Sequence, residues 1–153
     1  MFRCDLEIFI EPAVAISPGE LDALVAESEL DGWRFVRRLV DELATGVNRF
    51  DRPGECLFIA RVHNRVVGVC GLNIDPYIAE NRVGRVRRLY VAKSHRGQGI
   101  GQRLVWEVVA AARGHFDFLR VRTENSAVGS RYERLGFQRV CDVAECTHRL
   151  ILA

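Results

Sequence analysis

No apolar run in this chain approaches the ~20 residues needed to cross a bilayer. Its first residues, MFRCDLEIFIEP, carry acidic side chains and too little apolar length for a secretory leader. Both absences point to a cytoplasmic chain with no membrane partner. An excess of one charge is also missing. The formal net charge is +2, so the chain as a whole is not built to coat nucleic acid, and the RVRR run at residues 85–88 is too local to change that. Any anion site has to be a local construction. The five cysteines, Cys4, Cys56, Cys70, Cys141 and Cys146, are odd in number and none stands at C-x-x-C spacing from another. A disulfide framework and a zinc site are therefore set aside, and free, largely buried thiols are expected, with no metal.

What is present is enough for one globular domain over residues 1–153, with 48% hydrophobic and 27% charged residues. RCDLEIFIEPAVAI alternates as a first strand. SPGELDALVAESE follows with a helix-start signature: Ser17 as cap, Pro18 at the first helical position and Glu20 at the capping-box position. DGWRFVRRLVDELATG predicts a second helix with the stripe Phe35, Val36, Leu39, Val40, Leu43 and a stop at Gly46. Its charges, Arg34, Arg37, Arg38, Asp41 and Glu42, read as a solvated face. CLFIARV and VVGVCGLNI flank HNR as a hairpin, and RVRRLYVA is a further strand. Ile100, Leu104, Val105, Val108, Val109 and Ala112 recur at helical spacing, with Gly114 as the end. FDFLRVRT as a strand, NSAVGSRYERLG as a short helix, and FQRVCDV with CTHRLIL as a closing hairpin complete the order β-α-α-β-β-β-α-β-α-β-β. That order implies an α/β (α+β) fold with one mixed sheet.

The densest motif is HRGQGIGQRL, residues 95–104. A strand, a glycine turn and a helix start in succession can cradle an anion, because the first turn of a helix leaves N–H groups unpaired at its electropositive end. The loop has no Gly-Lys-Ser/Thr and so is not a Walker A loop. Gly97, Gly99 and Gly101 give G-x-G-x-G rather than the G-x-G-x-x-G of dinucleotide sites. From these residues alone, an anion cradle and a turn needed only for packing both stand.

Arg96-Gly97-Gln98-Gly99-Ile100-Gly101 matches [QR]-x-x-G-x-[GA], and the chain here resembles the GNAT (GCN5-related N-acetyltransferase) family. RRLYVAKSHRGQGIGQRLV is similar to the family's central strand, loop and helix. NSAVGSRYERLGF is similar to its N-x-x-A-x-x-x-Y-E-K-L-G-F segment, and VVGVCGL to its third strand. Val128, Gly129 and Arg131 depart from the usual residues of that short helix, which puts the geometry around Tyr132 in question. The resemblance implies a mostly antiparallel twisted sheet of about six to seven strands with about four helices and an acyl-CoA cleft at a central parallel pair.

It also implies acetyl transfer from acetyl-CoA, as acyl donor, to a small-molecule or peptide amine, by direct attack. By resemblance the pyrophosphate falls on Gly97, Gln98, Gly99, Ile100 and Gly101 with Arg96 assisting. The backbone of Leu89, Tyr90 and Val91 would pair with the pantetheine, and the Val91 N–H would polarise the thioester. Asn125 and Arg134 would add cofactor contacts, and Tyr132 would donate a proton to the leaving thiolate. For the general base the expected residues are Glu80 and Asp75, in the loop before the central strand, with Tyr90, His95, Glu124, His148 or a water as alternatives. Trp33, Phe35, Arg37 and Tyr77 fall where the family selects acceptors, and acidic side chains at that entrance would suit a cationic amine. The resemblance also allows a homodimer. A non-catalytic acyl-CoA sensor on the same fold is the alternative function.

Overall fold

The computed structural model describes residues 7–14, 16–17, 19–80 and 82–152. Pro18, Cys4 and the first residues of the expected opening strand lie outside them. The elements follow the expected order: β1 (Ile8–Pro12), α1 (Asp22–Leu30), α2 (Phe35–Thr45), β2 (Cys56–Val62), β3 (Arg65–Ile74), β4 (Val83–Val91), α3 (Ile100–Ala112), β5 (Phe118–Val121), α4 (Ser126–Arg134), β6 (Gln138–Arg139) and β7 (His148–Ile151).

Local chemistry explains most boundaries. The β2–β3 hairpin turns on His63 and Asn64, both left-handed at φ 48° and 65°, the two-residue turn whose twist suits a hairpin. Gly46 ends α2 at φ 80°, and its N–H closes on the Glu42 carbonyl. α1 starts later than its signature implies. Half of the capping box forms, Ser17 N–H donating to Glu20 Oε2 at 2.8 Å, but the chain makes a turn there before the helix begins at Asp22. α3 buries Ile100, Leu104, Val105, Val108, Val109 and Ala112, the whole expected stripe.

The sheet order is β1-β2-β3-β4-β5-β7-β6. Every neighbouring pair is antiparallel except β4 and β5, which are parallel over three registered pairs, Val83↔Phe118, Gly84↔Leu119 and Arg85↔Arg120. α3 and α4 cover one face. A Cβ on Gly68 would stand 3.0 Å from Leu104 of α3. α1 and α2 cover the other, where Phe35 meets Tyr90 edge-on at 5.9 Å. Among the described residues no helix is long and apolar enough to cross a membrane.

Candidate active site

β4 runs on for six residues beyond its last pairing with β5, because β5 contributes only four residues to the sheet. From Val86 to Val91 no strand among the described residues lies beside that edge of β4, and the parallel pair parts into a cleft. The backbone there is aimed usefully. Ala92 N–H donates to Val67 O at 2.8 Å, so the polar groups of Val91, one residue back, point away from β3 and into the opening. The Val91 carbonyl accepts Arg96 Nε at 2.9 Å, consistent with that direction.

A bulge sits in the same stretch. Between the pairs Val69↔Tyr90 and Gly71↔Arg87 one β3 residue, Cys70, opposes both Arg88 and Leu89, and Arg88 is left-handed at φ 62°. The bulge resets the alternation of side chains. Tyr90 therefore faces α1 and α2. Its hydroxyl donates to Glu27 Oε2, and burial, followed by that carboxylate, pushes the phenol above its ordinary range. A phenol held protonated on a carboxylate is no base, which corrects that expectation for Tyr90.

The glycine loop follows a short 3-10 turn at Lys93–His95. Gly97 and Gly99 have φ of 80° and 78°, and a Cβ on either would meet nothing within 4 Å. Their glycines are thus required by backbone conformation rather than by crowding, and the loop is open on its outer side. Gly101 is not crowded either, its nearest neighbour being Val91 at 3.6 Å. Ile100 is buried under the first turn of α3, while Gln98 is exposed. The first helical bond is Arg103 N–H to Gly99 O, which leaves the preceding N–H groups free for a ligand. Arg96 lies over the Tyr90 ring at 5.4 Å. Its Nη atoms make no hydrogen bond among the described residues.

α4 closes the cleft. Asn125 caps it, Oδ1 accepting from Ala127 N–H at 3.0 Å and Val128 N–H at 3.2 Å. Its oxygen is therefore committed to the helix. Tyr132 is 3% exposed and packs edge-on to Phe137 at 5.2 Å. Burial raises its phenol well above the ordinary value, with the Cys70 thiol across the sheet adding to the effect. The departure at Gly129 has a steric cause. A Cβ there would stand 3.0 Å from His148 Cε1. His148 is itself buried beneath α4, bonded through Nδ1 to Thr147 Oγ1 at 2.9 Å. Arg134 is exposed on the last turn of α4.

The opposite face of the β4–β5 pair carries arginines. Arg85 and Arg120 both reach Asp75 Oδ2 at 3.4 Å, and the Asp75 side chain is 0% exposed. Asp75 Oδ1 caps the following turn, accepting from Tyr77 N–H at 2.8 Å. A carboxylate sealed between two guanidiniums has no side open to an amine, so Asp75 is a structural ion-pair centre and not the expected base. Glu80 is exposed in the loop that follows. Glu124 is exposed and paired with Arg122 at 2.8 Å, and the His95 ring bonds Ser94 within the 3-10 turn before the glycine loop. Tyr77 stacks on Arg85 at 4.8 Å, and with Ile78, Val140, Val143 and Ala144 it walls an open cavity of about 500 Å³.

Glu42, expected on a solvated face, is instead turned inward. It pairs with Arg88 at 2.8 Å, with the two side chains 23% and 9% exposed. Glu42 Oε2 and Arg88 Nε are both buried without a partner. The sequence held one sign of this pair: Arg88 follows Arg87 directly and so breaks the alternation of the strand. Arg37 does lie outward, on Glu29 at 2.8 Å, and Trp33 is half exposed beside Phe35.

A parallel strand pair that parts beside a glycine loop, with a buried tyrosine on the helix across it, defines the acyltransferase class of mixed α/β folds. The Acetyltransferase (GNAT) family model matches residues 23–137, and the chain belongs to that family. It is similar to the N-alpha-acetyltransferase RimI of Mycobacterium tuberculosis, 38% identical over 90 residues, and to protein ML0378 of Mycobacterium leprae, 30% identical over 89. These matches take in 54% and 56% of this chain, and 57% and 23% of those two proteins' lengths. Among solved structures, one from Exiguobacterium sp. 255-15 superposes with a TM-score of 0.84 at 28% identity over 95% of this chain and 94% of that one. A GNAT family acetyltransferase from Elizabethkingia anophelis with acetyl-CoA bound superposes at 0.63 with 23% identity, over 95% and 98%.

Proposed function

We propose that this chain transfers an acetyl group from acetyl-CoA to a primary amine. The observation that carries the reading is the free edge of β4 from Val86 to Val91, which ends at an open glycine loop on the N-terminus of α3. The N–H groups from Gly97 to Gly101 hold the pyrophosphate, with Gln98 and the Nη atoms of Arg96 beside it. Backbone groups of Leu89, Tyr90 and Val91 pair with the amide-rich pantetheine as an added strand. The inward-facing Val91 N–H polarises the thioester carbonyl. Asn125 contributes its free Nδ2, and Arg134 lies on the exposed end of α4 toward the nucleotide.

The amine attacks directly from the arginine-bearing face. The C–N bond forms as the C–S bond breaks, a carboxylate takes the amine proton, and Tyr132 faces the departing thiolate. A phenol held above its ordinary pKa keeps its proton at neutral pH, so Tyr132 serves as a hydrogen-bond donor to the thiolate before any full transfer. With Asp75 sealed, the exposed Glu80 is the expected carboxylate that remains for the amine proton. RimI is by name an N-alpha-acetyltransferase. A peptide N-terminus therefore belongs in the acceptor panel beside amino acids, polyamines and aminoglycosides.

The test is thiol release from acetyl-CoA across that panel, with calorimetric binding of acetyl-CoA in parallel. Gly99→Asp places bulk and negative charge at the pyrophosphate and at a left-handed position, and should abolish both binding and turnover. Tyr132→Phe should lower kcat by about 10²-fold or more with little change in acetyl-CoA affinity. Binding without turnover on any amine would establish the sensor reading instead.

A further inference from the structure

The acceptor face holds two unsatisfied groups of opposite sign. Arg85, Arg87 and Arg88 come from β4, and Arg120 from β5. Asp75 serves Arg85 and Arg120, which also donate to the carbonyls of Glu145 at 2.7 Å and Ala144 at 2.6 Å. Glu42 serves Arg88. Arg87, half-buried and paired in register with Gly71, finds no hydrogen-bond acceptor among the described residues. Asp75 and Glu42 thus pair with three of these four guanidiniums, and Arg87 is the one without an ion-pair partner among the described residues. Arg87 works against its neighbours: after burial, its charge is among the causes that lower the pKa of both Arg85 and Arg88. Beside the same Arg88, Glu42 Oε2 is buried without a donor.

A part-buried guanidinium set between like charges is costly to keep, and so is a buried carboxylate oxygen without a donor. Glu42 Oε2 is closed off beside the equally unpartnered Arg88 Nε, so the group open to a ligand is Arg87, which an anion would satisfy. We propose that the acceptor is an amine bearing an anionic group, a carboxylate or a phosphate, and that Arg87 binds that group. This rests on the acetyl-transfer reading, and it reverses the expectation of a cationic amine. Arg87 is a specificity-determining residue in this scheme. Its planar fork suits two-point recognition of a carboxylate or phosphate.

The experiment compares matched acceptors with acetyl-CoA at saturation: phenylalanine against its amide and phenethylamine, O-phosphoethanolamine against ethanolamine, and the dipeptide amide Ala-Glu against Ala-Gln. The first two sets report a free small molecule and the third a peptide N-terminus. The anionic member of at least one set should show a kcat/KM about 10- to 100-fold higher, and Arg87→Gln should bring the pair within about twofold. The same compounds are followed by thermal shift without acetyl-CoA. Anionic members should raise the midpoint of the wild type and not of Arg87→Gln. Turnover without anionic preference overturns the proposal and leaves acetyl transfer standing. An Arg87-dependent shift without turnover keeps the anion site and overturns acetyl transfer. Neither preference nor shift overturns the anion site.

Discussion

Replacing Asp75 by asparagine separates a structural carboxylate from a catalytic one. Asp75 lies at 3.4 Å from both Arg85 and Arg120, with side-chain exposures of 0%, 7% and 4% for the three groups. At an effective dielectric of about 20, each pair is worth about 5 kcal/mol of gross attraction. Desolvation of three nearly dry charges offsets most of that. Removing the one anion leaves two buried guanidiniums with only the carbonyls of Ala144 and Glu145 as acceptors. The expected loss is about 3–5 kcal/mol. With an unfolding entropy of about 2.1 cal/mol/K per residue, a chain of this length should lose about 10–15 °C in Tm. Urea unfolding and thermal melting at fixed pH measure both. The variant, assayed well below its new midpoint, should keep the acidic limb of its kcat/KM profile. A loss below about 1 kcal/mol, or disappearance of that limb with stability intact, would refute the structural assignment and return Asp75 to the chemistry.

Two other outcomes follow from burial. Cys70 and Tyr132 are held above their ordinary pKa values by desolvation, so the unfolded chain releases their protons first as pH rises. Stability should be level from about pH 7 to 8.5 and then fall, by about 1.4 kcal/mol per pH unit for each of Cys70 and Cys56, and by as much again for each of Tyr132 and Tyr90 above about pH 10. Cys70→Ala should remove about half of the earlier slope, since Cys56 is pushed up to about 11 by burial as well, and Tyr132→Phe only part of the later one, since Tyr90 is also raised, as read from urea midpoints between pH 7 and 11. An alkaline profile unchanged in both variants would contradict their burial. Gly129→Ala gains about 1 kcal/mol of helix propensity but puts a Cβ at 3.0 Å from His148 Cε1. We expect a net loss of about 1–2 kcal/mol that becomes a gain in a His148→Ala background, with a coupling above about 1 kcal/mol in the double-mutant cycle. Additive effects would place His148 elsewhere.

The elements were legible because their signals are local. An apolar stripe of six residues at helical period marks α3, and two residues able to adopt left-handed conformation mark the β2–β3 turn. The glycine loop was legible as a turn of unusual backbone for the same reason, since positive φ at Gly97 and Gly99 is a demand of the backbone at those residues alone. The start of α1 was misplaced because a capping box can close a turn as well as a helix. The role of Gly129 was illegible because its cause, His148, lies on a strand nineteen residues away.

The arginine-bearing face was hidden for a different reason, and the bulge is the cause. Read with a strict period of two, Arg85 and Arg87 share one face of β4 while Arg88 and Tyr90 share the other. In the fold, Arg88 takes φ 62° opposite Cys70, the period resets, and Arg85, Arg87, Arg88 and Tyr90 all stand toward α1 and α2. One left-handed residue, at a cost of about 1–2 kcal/mol, thereby gathers three guanidiniums on one side and turns Leu89 to the other, where the cleft lies. It also supplies Glu42 with a partner, which draws a helix carboxylate off its expected solvated face. The strain is local, but it sets a free backbone edge and a charged floor on a single strand, the two surfaces to which the proposed reaction assigns its donor and its acceptor.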